Sequence, residues 1–161
     1  MRKFSFVITS ICVISLVVNI IQFIDRKQNQ HYADIQTGYS RLLNNVGNAK
    51  SQSTKLNSAN ITELVKNGSL MDLSIERSIG ILIGLQAATG VNFTPVQVAL
   101  LKCEIPINTQ GMNDAQLLQE AAYAQNNLSS LLKMMQSFQT KSRSEIDQLQ
   151  SLVTEISQKY P

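Results

Sequence analysis

The chain begins with a long uninterrupted run of apolar side chains. Residues 4–24 contain no charged residue over 21 positions, and basic residues lie on both sides of the run. An α-helix rises about 1.5 Å per residue, so this run is roughly 30 Å long, which matches the hydrocarbon core of a bilayer. The pattern predicts a single transmembrane helix, a signal-anchor, whose apolar surface includes Phe4, Val7, Ile11, Ile14, Val18, Ile21 and Ile24.

Two other interpretations of this run are a cleaved signal peptide and a buried core helix. The apolar part of a signal peptide is usually about 7–15 residues long and ends in small residues. This run is longer and ends in Phe23 and Ile24, which favours an uncleaved, single-pass anchor in the cell membrane. The two sides of the run carry equal numbers of basic residues, so the positive-inside rule does not give the orientation of the predicted helix. The three-residue stub before it favours a cytoplasmic N-terminus and an extracytoplasmic C-terminal domain.

Beyond residue 27, apolar positions recur at alternating steps of three and four. This heptad spacing predicts helices that each turn one stripe towards another helix, and no segment alternates as a strand would. The expected fold is all-α, with the transmembrane helix followed by an antiparallel, coiled-coil-like helical bundle. The first stripe is Tyr32, Ile35, Tyr39, Leu42, Val46, Ala49, Ser53 and Leu56, and the last is Ala121, Ala124, Leu128, Leu131, Met135, Phe138, Ser142, Glu145, Leu149, Leu152 and Ile156.

Capping and turn residues divide the chain further. Ser69, Thr94 and Asn113 stand where helix-capping side chains are expected, and Gly90 stands where a helix should end. These positions predict a membrane anchor with its short cytoplasmic stub over 1–27 and an extracytoplasmic helical domain over 28–161. The predicted helices of that domain are 28–66, 70–89, 95–104 and 114–159. In the last of them, the polar stretch 140–145 is where packing should loosen.

The most apolar stretch outside the anchor is Ile79–Ala88, which carries Gly80 and Gly84 four residues apart. We expect a helix buried on all sides, with the two glycines allowing close helix contact. The alternative is a surface that dips into a membrane or binds a partner, because an exposed patch of this kind demands one. The predicted helix-packing residues are Gly80, Gly84, Leu128, Leu131, Met135, Leu149 and Leu152.

Charge and composition narrow the choice of partner. The chain has 14 Lys and Arg against 11 Asp and Glu, but from residue 25 onward the balance is 12 against 11. Such a balance is not that of a nucleic-acid-binding protein. The sequence therefore predicts the lipid bilayer and a protein, either another protein or a second copy of this chain, as partners.

Few residues are suited to catalysis or metal binding, since the chain has one His and two Cys. Cys103 lies beside Leu100 and Leu101 and is expected to be a buried thiol, with an intermolecular disulfide as the alternative. Asp72 and Glu76 share a helix face, with Glu104 as a candidate neighbour, and are expected to form a solvated surface. We therefore expect no enzyme activity, no metal and no cofactor.

Two functions remain open on the sequence. The first is a structural or assembly role in the cell envelope, in which a membrane-anchored helical protein acts through protein–protein association. The second is a ligand-sensing four-helix bundle. Its pocket would lie near Leu82, Leu85, Leu128 and Leu131.

Overall fold

The computed structural model describes a large part of the chain, and that part is all-helical without a strand. The described backbone covers 2–56, 61–105, 114–137 and 145–160; side chains are described within these ranges except for 2–14, 61–62, 64, 114 and 145–147. The predicted all-α class is confirmed. The helices are α1 (Arg2–Thr54), α2 (Ile61–Thr89), α3 (Thr94–Leu101), α4 (Asp114–Ser137) and α5 (Glu145–Lys159).

The chain divides into two compact units, Met1–Asp34 and Ile35–Pro161. In the first unit, the described side chains from residue 15 to residue 31 are all exposed. Large apolar side chains dominate the start of this stretch and are 45–63% exposed. A helix whose apolar side chains are exposed on every side lacks the packing that normally stabilises it in water. These side chains are Leu16, Val17, Val18, Ile20, Ile21, Phe23 and Ile24.

Among the described residues, no helix combines the length and the apolar character that crossing a membrane requires. Four predicted anchor residues, Phe4, Val7, Ile11 and Ile14, lie outside the described side chains, whereas Val18, Ile21 and Ile24 are described and exposed. The transmembrane helix therefore stays a prediction from the sequence.

The second unit is built around one hydrophobic core to which all five helices contribute. Helix α3 packs against both α2 and α5, and α4 packs against α5. The first heptad stripe is buried from Ile35 onward, and Tyr32 before it is only partly buried. Its buried members are Ile35, Tyr39, Leu42, Val46, Ala49, Ser53 and Leu56.

Helices α1 and α2 approach each other closely at Gly38. A Cβ atom placed on this glycine would lie 3.0 Å from Cδ2 of Leu85, which is too short for an undisturbed contact. The end of α1 and the start of α2 are separated by only six residues, 55–60. Because Gly38 near one end of the unit meets Leu85 near the end of α2, the two helices run antiparallel.

Tyr39 joins α1 to α4 through a buried hydrogen bond. Its hydroxyl donates to the carbonyl oxygen of Met135 over 2.8 Å. That carbonyl belongs to the last turn of α4, where the oxygens have no partner within the helix. Burial raises the pKa of Tyr39 far above its usual value of 10, so the phenol remains a donor. The Tyr39 side chain of α1 therefore caps the C-terminal end of α4.

The boundary between α1 and α2 differs from the prediction of one helix over 28–66. Helix α1 ends at Thr54, where the Thr54 hydroxyl donates to the carbonyl of Ser51. Helix α2 begins at Ile61 and passes through Gly68 and Ser69 without a break. The Ser69 hydroxyl donates to the Val65 carbonyl of its own helix, so it does not cap a new one.

Helix α3 begins at the predicted place but with a different cap. Thr94 forms no capping side-chain bond, and Phe93 occupies the cap position. The preceding backbone is instead held by the side-chain oxygens of Gln86 and Asn92, which accept from the N–H groups of Phe93 and Thr94. Gly90 ends α2 as predicted, with a φ of 72° that favours glycine. The predicted cap Asn113 lies outside the described residues.

The prediction of one helix over 114–159 is wrong. Lys159 Nζ contacts Ser130 Oγ, and the Tyr160 hydroxyl donates to the Asn127 carbonyl over 3.3 Å. The end of α5 therefore lies beside the middle of α4, so these are two antiparallel helices. The physical reason is the polar stretch near residues 140–145, which supplies no apolar side chain to continue the buried stripe.

Replacing Tyr39 by Phe should lower the free energy of unfolding by about 1–2 kcal/mol, because the buried Met135 carbonyl loses its donor. Chemical denaturation followed by circular dichroism measures this loss. Tyr123→Phe is the matched control, since Tyr123 is exposed and its change should be small. Equal stability of the two variants would show that the Tyr39 bond does not hold α4.

Candidate interaction surface

Helix α2 has one buried face and one exposed face. Its buried stripe follows steps of four and three, and the Ser78 hydroxyl within it donates to the Ser74 carbonyl of the same helix. The expectation that Ile79–Ala88 is buried on all sides is therefore wrong, because Ile83 on the opposite face is 58% exposed. The buried stripe consists of Met71, Ile75, Ser78, Leu82 and Leu85.

Gly80 and Gly84 lie on the exposed face. A Cβ atom on either glycine would meet nothing within 4 Å, so the two glycines form no close-contact ridge with the residues that the structure describes. Ala87 and Ala88 continue the same exposed face towards the end of α2. These small residues leave the α2 backbone open to a close approach from outside.

Charge is confined to the N-terminal part of this face. Glu76 and Arg77 are both exposed, and no charged residue follows from Ser78 to Leu101. Successive residues of an α-helix lie about 100° apart, so the two side chains flank the line that runs through Gly80 and Ala87. We call Glu76, Arg77, Gly80, Ile83, Gly84 and Ala87 the outer face of α2.

A cluster of carboxylates borders the Glu76 side of the outer face. Asp72 is half-buried and accepts a hydrogen bond from the backbone N–H of Ile105. Burial, with the nearby charges of Glu104 and Glu76, raises the pKa of Asp72 from 3.8 to about 6. Burial and the charge of Glu76 also raise the pKa of Glu104. Asp72 and Glu104 are therefore both harder to ionise than a carboxyl group in water.

One oxygen atom of this cluster has no hydrogen-bond partner in the structure: Oδ1 of Asp72 is buried without one. Among the described residues, no group of three potential ligands is arranged to hold a metal ion. The cluster therefore places carboxyl groups close together at the edge of the outer face.

Cys103 is packed in the core. Its side chain is 1% exposed, and its Sγ–H donates to the Ala99 carbonyl over 3.2 Å. Burial and the charge of Glu104 raise the pKa of the thiol to about 12, so it is neither accessible nor ionised at neutral pH. The alternative of an intermolecular disulfide at Cys103 is not compatible with this fold.

The residues proposed to line a sensory pocket belong to the packed core. Leu82, Leu85, Leu128 and Leu131 are only 0–4% exposed, so a ligand would have to displace them to bind there. The remaining predicted packing residues, Met135, Leu149 and Leu152, are also buried. The described chain carries an open groove elsewhere, between the C-terminal end of α4 and α5, lined by Ser137, Gln148, Ser151, Leu152 and Glu155.

The described part of the chain is an all-helical bundle in which the outer face of α2 is exposed and, from Gly80 to Ala87, uncharged. No family model, no curated protein and no solved structure matches this chain. The function therefore has to be argued from the surface itself.

Replacing Asp72 by Asn should stabilise the protein at pH 7.5, because the amide oxygen still accepts from Ile105 and no charge is buried. The native protein takes up a proton on Asp72 as the pH falls through 6, whereas the unfolded chain takes it up only near 3.8. Native stability should thus rise from pH 7 to pH 5 and approach that of the variant.

Thermal denaturation at low protein concentration across this pH range measures the effect. Glu120→Gln, an equal change of charge at an exposed position of α4, is the control and should show no such convergence. A stability difference between Asp72→Asn and the native protein that stays constant with pH would contradict the assigned shift.

Proposed function

We propose that this chain is a membrane-anchored helical protein that acts by protein–protein association, without catalysis, as a structural or assembly component of the cell envelope. The N-terminus is cytoplasmic and the helical domain is extracytoplasmic. The observation that carries the proposal is the outer face of α2, which is uncharged over Gly80–Ala87 and uncovered in a helix that is otherwise part of the core.

The anchor is supported by the sequence and by the exposure of its second half. Residues 4–24 are free of charge, and the large apolar side chains from Leu16 to Ile24 are exposed. Burying such side chains in hydrocarbon is favourable by about 25 cal/mol per Å² of apolar area. A bilayer supplies that environment on all sides of the helix at once.

The association surface is supported by an exposed apolar side chain and by two glycines that have no packing neighbour among the described residues. Ile83 is the large apolar side chain of the outer face and is exposed, and in the sequence it stands between Gly80 and Gly84. A glycine costs about 1 kcal/mol of helix stability compared with alanine. Because neither glycine packs closely against another described residue, a contact from outside is the function that this surface fits.

The anchor can be tested by topology. Full-length protein expressed in cells should remain in membranes after alkaline carbonate extraction, because the charge-free run is inserted in hydrocarbon. A reporter that is active only outside the cytoplasm, fused after Pro161, should be active. Release of the protein by carbonate contradicts the anchor, and activity of a cytoplasmic reporter alone contradicts the orientation.

The association surface can be tested by photo-crosslinking in intact cells. A photoreactive amino acid at Ile83 should give protein adducts, because this side chain is exposed on the outer face. The same amino acid at Glu120, which is exposed on α4, is the control and should give fewer. Equal labelling from both positions would show that the outer face is not a specific contact site.

A further inference from the structure

We propose that the partner of the outer face is a second copy of this chain. Two α2 helices pair in parallel about a two-fold axis, with Ile83 of each copy against Gly84 of the other and Arg77 of each against Glu76 of the other. The inference rests on the proposed function, since it names the protein that this surface binds.

The arrangement of the outer face is self-complementary. Gly80 and Ala87, seven residues apart, mark its midline, because seven residues return to within about 20° of the same direction. Glu76 and Ile83 lie on one side of that line, and Arg77 and Gly84 lie on the other. A two-fold axis parallel to the helices brings the first side of one copy against the second side of the other. The protruding Ile83 then meets the hollow at Gly84, and each acid meets a base.

An antiparallel pairing does not give this match. It would turn Glu76 and Arg77 towards the uncharged C-terminal end of α2, where Ala87 and Ala88 offer them no partner. Burying charges against apolar residues is costly.

The position of the carboxylate cluster favours the same pairing. Asp72 and Glu104 lie near Glu76, on the side of the outer face that Arg77 of the second copy would approach. These carboxyl groups attract an incoming guanidinium, whose charge would favour the ionised form of Asp72.

The membrane raises the tendency to pair. The predicted anchor, residues 4–24, confines every copy to diffusion in the plane of one membrane. This confinement increases the effective concentration of one copy around another.

Two charge reversals test the pairing when they are mixed. In Glu76→Arg, two basic residues face each other across the interface, and in Arg77→Glu, two acidic ones do. Each variant of the full chain in detergent should associate with itself at least about tenfold more weakly than the native protein. The mixture should form heterodimers, because both acid–base pairs are then restored. Sedimentation and pull-down with two different tags measure both results.

The two substitutions lie at exposed positions, and circular dichroism checks that each variant keeps its helical content. Self-association of both variants at the native level, or failure of the mixture to form heterodimers, overturns the proposal. If the mixture associates but neither variant associates with itself, a general loss of solubility or of folding is not the cause, because such a loss would weaken the mixture as well.

A second measurement does not depend on charge. In a Cys12→Ser background, Ala87→Cys should form a disulfide-linked dimer in membranes on mild oxidation, because parallel pairing places the two midline residues side by side. Tyr123→Cys, exposed on α4, is the control and should remain monomeric. Equal cross-linking at the two positions, or none at Ala87→Cys, contradicts a parallel α2 interface.

The photo-crosslinking at Ile83 separates failure of this inference from failure of the proposed function. Adducts of twice the chain mass agree with self-pairing. Adducts of other masses alone leave the association surface in place but overturn the second copy as its partner. A complete lack of adducts removes the association surface, and with it both proposals.

Discussion

Burial of a single stripe on α2 determines what the bundle presents to its surroundings. Met71, Ile75, Leu82 and Leu85 fill the core, and a helix of 3.6 residues per turn must then turn the opposite side chains outward. Because α2 is apolar on both sides over its C-terminal half, the outward side carries glycine, alanine and isoleucine in place of charge. The uncovered face is thus a direct result of how the core is packed.

Electrostatics near this face follow from the same packing. Helix α3 packs against α2, and the residues after its end bring Glu104 to Asp72, which α2 holds half-buried. The backbone N–H of Ile105 supports the Asp72 carboxylate but does not neutralise the charge of the cluster. Carboxyl groups therefore lie close together beside the uncharged part of the outer face, and the stability of the bundle depends on their ionisation.

Much of this fold was predictable from the sequence where the responsible interactions are local. The first buried stripe, from Ile35 to Leu56, was predictable because heptad spacing alone selects its members. The helix boundaries were less so, since the Ser69 hydroxyl has two local partners and only the tertiary structure selects between a cap and a bond to Val65. The polar stretch 140–145 indicated where the last predicted helix would loosen, but the antiparallel arrangement of α4 and α5 depends on contacts such as Tyr160 with Asn127, which no local pattern reveals. For α2, an apolar sequence on both sides concealed which side the core would use, and the exposed position of Gly80 and Gly84 went unpredicted for that reason.

Cys103 gives the bundle an internal reporter of its own motion. Its sulfur is enclosed by the core and bonded to the Ala99 carbonyl, so a thiol reagent can react only when this part of α3 separates from its neighbours. The rate of that reaction then measures how often this region opens locally, as hydrogen exchange does for backbone amides. The thiol that is unsuited to cross-linking or catalysis is for the same reason a natural probe of how often the core opens.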